Sequence, residues 1–109
     1  MNLAESFGNY PNPFDPLIEN CQFSYYLSQQ SDISLRIYTL TGLPVWSTEF
    51  RGGDEHCLPG NHSGRSTLAP ILWNGRNSKG YIINNGIYIA IFEMHARGEQ
   101  VRTKVAVVK

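Results

Sequence analysis

A chain of 109 residues can build one hydrophobic core but not two. Nine Lys+Arg balance nine Asp+Glu and no basic stretch interleaves with aromatics, which argues against a nucleic-acid groove or an anionic membrane surface as partner. An apolar fraction of 41% fits a globular domain, and no run approaches the roughly 20 apolar residues that span a bilayer.

The opening residues, MNLAESFGNY, supply neither the basic nor the apolar region of a secretory signal peptide. Residues 10–16, YPNPFDP, place three prolines in seven positions. Proline fixes φ, removes a backbone donor and keeps its predecessor out of the helical region. Residues 1–16 therefore read as a Pro-rich strap, and Tyr10–Pro16 as a stiff ribbon that enters neither a helix nor a central strand. Its aromatics, Tyr10 and Phe14, are expected to plug one open edge or end of the fold.

CQFSYYL alternates, with Cys21, Phe23, Tyr25 and Leu27 on one face, the period of a half-buried strand. DISLRIYTL repeats the pattern with Ile33, Leu35 and Ile37 inward, Thr41-Gly42 offers a turn, and LPVWSTEF returns as the second arm of a hairpin. Pro44 assigns that arm to a sheet edge or its first residues. Residues 51–67, RGGDEHCLPGNHSGRST, have no apolar period and read as a long loop. LAPILW is a short strand ending at Trp73, and NGRNSKG and IINNG are dense turn signals. GIYIAIFEM is apolar on both faces and reads as a central strand; HARGE turns it, and QVRTKVAVVK brings Val101, Thr103, Val105 and Val107 to one side. About seven strands, turns roughly every ten residues and no helix predict an all-β, immunoglobulin-like antiparallel β-sandwich in a single domain, residues 1–109.

Cys21 and Cys57 are compatible with one disulfide in an oxidising compartment, closing a loop worth about 3–4 kcal/mol by chain entropy. The alternative is a buried Cys21 and an unrelated loop Cys57. His56, Cys57 and His62, with His95 further on, are the only zinc-like cluster, but their spacing matches no standard ligand pair and the reading is surface loop residues without a metal. Asn74, Asn77 and Ser78 bring no carboxylate to the NGRNSKG turn, so it reads as packing Trp73 and directing Arg76 rather than holding calcium. No nucleophile elbow or phosphate-cradling glycine loop is present, and adjacent Asp54 and Glu55 point apart in an extended loop. Tyr25, Tyr26, Tyr38, Trp46, Tyr81 and Tyr88 could form a sugar-stacking platform, though such residues more often pair within a core. The expectation is a non-enzymatic domain without a cofactor.

Several motifs in order carry a resemblance. YPNPFDP resembles the YPNPFNP signature that opens the C-terminal domains of many secreted bacterial proteins. ISLRIYTLTGLPV is similar to the V-x-L-x-I-Y-D-x-x-G-x-x-V stretch that follows it. WNGRNSKGYIINNGIYIAIF resembles W-D-G-R-D-x-x-G-x-x-V-x-x-G-x-Y, shared with the Ig-like domain of the flagellar hook-capping protein FlgD. VRTKVAVVK is similar to a closing strand that ends in lysine. The resemblance is to type A C-terminal sorting domains of the type IX secretion system and their FlgD-like relatives. It implies a seven-stranded sandwich at the end of a longer exported protein, a folded address read at a secretion translocon or cell-surface protein. The N-terminal cargo domains of the parent chain would carry the signal peptide, and the location would be secreted or cell-surface via the periplasm.

Carried over residue by residue, Tyr10, Pro11, Asn12, Pro13, Phe14 and Pro16 form the strap. Ile37, Tyr38 and Gly42 mark the first hairpin, and Trp73, Gly75, Arg76, Gly80, Gly86 and Tyr88 the second half. Lys104, Val105, Val107 and Lys109 belong to the terminal sorting strand. Asp15, Thr39, Asn74 and Asn77 depart from the usual residues, and the insertion from Arg51 to Arg65 is longer than typical. A FlgD-type structural module for assembling a surface protein or filament is the alternative, and a carbohydrate-binding sandwich a third reading.

Overall fold

A computed structural model describes residues 2–109. A single helical turn, α1 (Leu3–Ser6), is capped by Asn2, whose side chain accepts from the Glu5 N–H at 2.8 Å. Eight strands follow: β1 (Gly8–Tyr10), β2 (Cys21–Leu27), β3 (Ile33–Thr39), β4 (Pro44–Phe50), β5 (Gly60–His62), β6 (Ile71–Trp73), β7 (Gly86–Met94) and β8 (Glu99–Val107). They form two antiparallel sheets, as the alternation predicts. One has β2 at its centre, with β1 on one side, β6 pairing residues 21–23 and β5 pairing residues 25–27. The other runs β4-β3-β7-β8.

The period of two decides what is buried. Cys21, Phe23, Tyr25 and Leu27 face inward from β2 and meet Ile33, Leu35 and Ile37 of β3 and Ala90, Phe92 and Met94 of β7 in one core. Phe7, just past α1, bridges the layers with its ring 6.2 Å from Phe23 and 5.4 Å from Phe92. Burying each such large apolar side chain contributes about 1.5–3 kcal/mol, which is why register holds along strands of only seven to nine residues.

Two sequence expectations need correction here. A helix exists, but it is one turn whose sequence carries no periodicity to reveal it; Leu3 alone anchors it in the core. The stretch 51–67 is not an unstructured surface loop. Asp54 caps a 3-10 turn at Glu55–Cys57, β5 pairs with β2, and Cys57 and His62 are fully buried. Among the described residues, no helix is long and apolar enough to cross a membrane.

Candidate functional site

The strap changes sheets. Residues 8–10 pair with β2 as β1, and the chain then crosses to the outer edge of β8 in the opposite layer. The Tyr10–Pro11 and Asn12–Pro13 peptide bonds are both cis. Two prolines leave the ribbon few donors of its own, and the Asn12 side chain supplies what is missing. Its Oδ1 accepts from the Ala106 N–H at 2.8 Å and its Nδ2 donates to the Lys104 carbonyl at 3.3 Å. Phe14 continues the pairing: its N–H donates to the Ala106 carbonyl, and its own carbonyl accepts from the Val108 N–H, both at 3.0 Å. Four outward backbone groups of the terminal strand are thereby satisfied.

Phe14 is buried as expected, with its ring 5.6 Å from Trp73. Tyr10 is not: it is 72% exposed. Alternation along β1 explains the difference, because Asn9 takes the more sheltered position opposite Phe23 and Tyr10 turns out beside Gln22 and Ser24.

The turn after Trp73 is organised around four side chains. Trp73 is buried and donates from Nε1 to the Arg76 carbonyl at 3.0 Å. The Arg76 guanidinium donates to the Gly80 carbonyl at 2.9 Å, so it bridges the turn as the sequence suggested. Asn74 and Asn77 serve as turn acceptors: Asn74 Oδ1 takes the Arg76 N–H, and Asn77 Oδ1 takes those of Lys79 and Tyr81. Gly75 has φ +74°, and a Cβ there would lie 2.4 Å from Pro16 Cβ and 3.3 Å from Phe14 Cζ. The strap lies directly on this glycine, so the opening motif, the Trp73–Gly80 turn and β8 form one interlocked corner.

The remaining motif residues border that corner. Val105 and Val107 are buried, whereas Lys104 and Lys109 are exposed, and the Lys109 N–H reaches Asn85 Oδ1 at 2.9 Å. Tyr88 is largely buried, which pushes its phenol above the ordinary tyrosine range, and its hydroxyl donates to the Asn84 carbonyl at 2.7 Å. Gly86, at φ +154°, starts β7.

The cysteines are not bridged. Cys21 pairs with Trp73 at the start of β2, while the Cys57 carbonyl accepts from Ser31 in the connection beyond its far end, and both thiols are free and buried. Disulfide geometry needs Cα atoms within about 7 Å. Burial pushes the Cys21 thiol up to about 12 and also raises that of Cys57, so both stay protonated near neutral pH.

The two histidines among the candidate ligands of the 51–67 segment turn to other partners. His56 Nδ1 lies 2.8 Å from Asp54 Oδ1, and that carboxylate is held below its ordinary range by the His56 N–H and ring. His62 is fully buried, stacked on Tyr25 at 4.4 Å, with Nδ1 3.0 Å from the Ala69 carbonyl and Nε2 2.8 Å from that of Leu58. Among the described residues, no three His, Cys, Asp or Glu side chains are placed to hold a metal ion together. The reading of His62 and Cys57 as surface residues fails because β5 and the 3-10 turn at Glu55–Cys57 are three residues long and offer a single buried position each, too little for any periodicity to register. The aromatic platform also dissolves. Tyr25 is in the core, Trp46 stacks on Trp73 at 6.0 Å, and Tyr26 and Tyr38 lie on opposite outer faces of the sandwich.

No family model matches the chain, and no curated protein matches it either. Solved structures do share its fold. One is PorZ of Porphyromonas gingivalis, described as an essential bacterial surface component of the type-IX secretion system, with a TM-score of 0.59 and 19% identity over 94% of this chain. Another is dimeric latent PorU of the same organism, with a TM-score of 0.64 and 22% identity, again over 94% of this chain. The chain spans 11% of the first and 9% of the second, so the likeness is to one domain-sized part of each.

Proposed function

We propose that this domain is a non-catalytic sorting or anchoring module that directs an exported bacterial protein through the type IX secretion system to the cell surface or medium. The observation that carries the reading is the interlocked corner. The strap, the Trp73–Gly80 turn and β8, which hold the resemblance to sorting domains, are far apart in sequence and lie together in space. A likeness in fold to part of PorZ, a type IX surface component, supports it. The chemistry of the interior points the same way. Buried His62 and Tyr25 turn their polar atoms to backbone carbonyls, where they position strands.

The test is export. Residues 1–109 fused behind a periplasmic reporter, in a host with a type IX translocon, should carry the reporter to the surface or medium. Deleting residues 105–109 removes two buried valines and the strap's partners, so a loss of export there reports unfolding alone. The informative variant reverses the exposed charges at Lys104 and Lys109, leaves the fold intact and should lower export. An intact fusion that stays in the periplasm while an established sorting domain is exported would sink the proposal in favour of a FlgD-type structural module.

A further inference from the structure

The outer face of the β4-β3-β7-β8 sheet is not the polar surface that a solvent-facing antiparallel sheet usually shows. Ile87, Ile89 and Ile91 form a stripe along β7, and Ile87 is 42% exposed. The sequence reads these residues as marking a central strand. That position is correct within the sheet, but among the described residues no second layer covers this face. Tyr38 pairs across from Ile89, and the Leu40–Gly42 turn closes the stripe into a groove of about 380 Å³.

Cations flank the stripe. Arg36 pairs with Ile91 from one side, Arg102 pairs with the same residue from the other, and Lys104 pairs with Ile89. All three are exposed, and among the described residues none of their side chains forms an ion pair or hydrogen bond. Of the acids one row away, Glu49 is paired with Arg51 at 3.0 Å, and Glu93 lies 3.7 Å from His95 Nδ1.

We infer that this face docks an acidic amphipathic helix laid along β7. The dimensions fit. Ile87 to Ile91 extends about 14 Å, roughly nine residues of helix. The strands bearing the cations lie two spacings apart, about 10 Å, close to the width of a helix with its side chains. An apolar stripe on the helix would cover the isoleucines, and carboxylates on both flanks would meet Arg36 on one side and Arg102 and Lys104 on the other. The surface stands independently of the export reading, and its test does not use a translocon.

The probe is a synthetic helix of about fourteen residues with a leucine stripe flanked by glutamates, titrated at low salt into the isotopically labelled domain. Shifts should centre on the amides of Arg36, Tyr38, Ile87–Ile91 and Arg102. The double variant Arg36→Glu/Arg102→Glu, at two exposed positions, should keep the unfolding midpoint and weaken binding about tenfold or more. Replacing every glutamate of the probe by lysine should abolish binding to the wild type and restore it towards the double variant. The inference is overturned if the lysine peptide binds the wild type as well as the glutamate one, or if the shifts map to another face. It is equally overturned if the domain self-associates through these residues, or if they bind phosphatidylglycerol vesicles but not the peptide.

Discussion

Replacing Phe14 by alanine separates a strap that is part of the core from one that merely lies on it. The ring is 1% exposed and packs on Trp73 and on the bare Cα of Gly75. The two backbone hydrogen bonds of residue 14 to Ala106 and Val108 survive the change, so the substitution removes packing and leaves the pairing in place. A buried Phe→Ala truncation costs about 3–5 kcal/mol, combining lost transfer energy with the cavity left behind. Domains of this size are stable by about 5–15 kcal/mol, and each kcal/mol moves the midpoint by about 4 °C or more, so Tm should fall by roughly 12–20 °C.

The assay is thermal and urea unfolding of the wild type, Phe14→Ala and Tyr10→Ala. Tyr10 belongs to the same motif but is 72% exposed, so its truncation should stay within about 0.5 kcal/mol. In Phe14→Ala the amides of residues 14, 106 and 108 should also exchange faster than those of β7, because the strap's anchor is gone. Equal shifts for the two variants, or an unchanged midpoint for Phe14→Ala, would refute the argument that the strap closes the core.

Two further outcomes check the corner and the cysteines. Gly75→Ala should cost about 2–5 kcal/mol, from a left-handed φ plus overlap with Pro16, whereas Gly80→Ala, with φ +89° and open space, should cost only the backbone share of about 1–2; equal losses in urea unfolding would show that the strap does not press on Gly75. Without reductant, Cys21 and Cys57 should resist an alkylating reagent at neutral pH in the folded domain and both react in denaturant, giving two adducts by intact mass; no adduct in denaturant would establish a disulfide instead.

The strands were legible wherever alternation had room to repeat. CQFSYYL reads directly as β2, and GIYIAIFEM coincides with β7, because seven and nine residues give four inward positions apiece. Pro44 at the start of β4 places that strand at an edge, since a missing N–H is harmless only there. What stayed hidden was pairing in short segments. β5 and β1 carry three residues each, and α1 a single turn, so neither period can appear. The roles of Asn12, Asn74 and Asn77 were half legible. Asn is expected beside turns, but which backbone groups it satisfies depends on a tertiary meeting that no local pattern encodes.

The strap also constrains how a partner can recognise the terminal strand. An edge strand normally offers unpaired N–H and C=O groups to another chain, and strand addition is a common mode of peptide recognition. Along β8 those groups are taken: the Lys104 carbonyl and Ala106 N–H by the Asn12 side chain, and the Ala106 carbonyl and Val108 N–H by the Phe14 backbone. Strand addition over this stretch would first have to peel away Phe14, at the several kcal/mol derived above. The opposite edge is protected by different means, since Pro44 opens β4 and Val45 gives its carbonyl to the Ser78 N–H. A partner that meets residues 104–108 in the folded domain therefore reads side chains rather than backbone. On the strand that carries the sorting resemblance, those side chains are the outward row of Arg102 and Lys104 beside the isoleucines of β7.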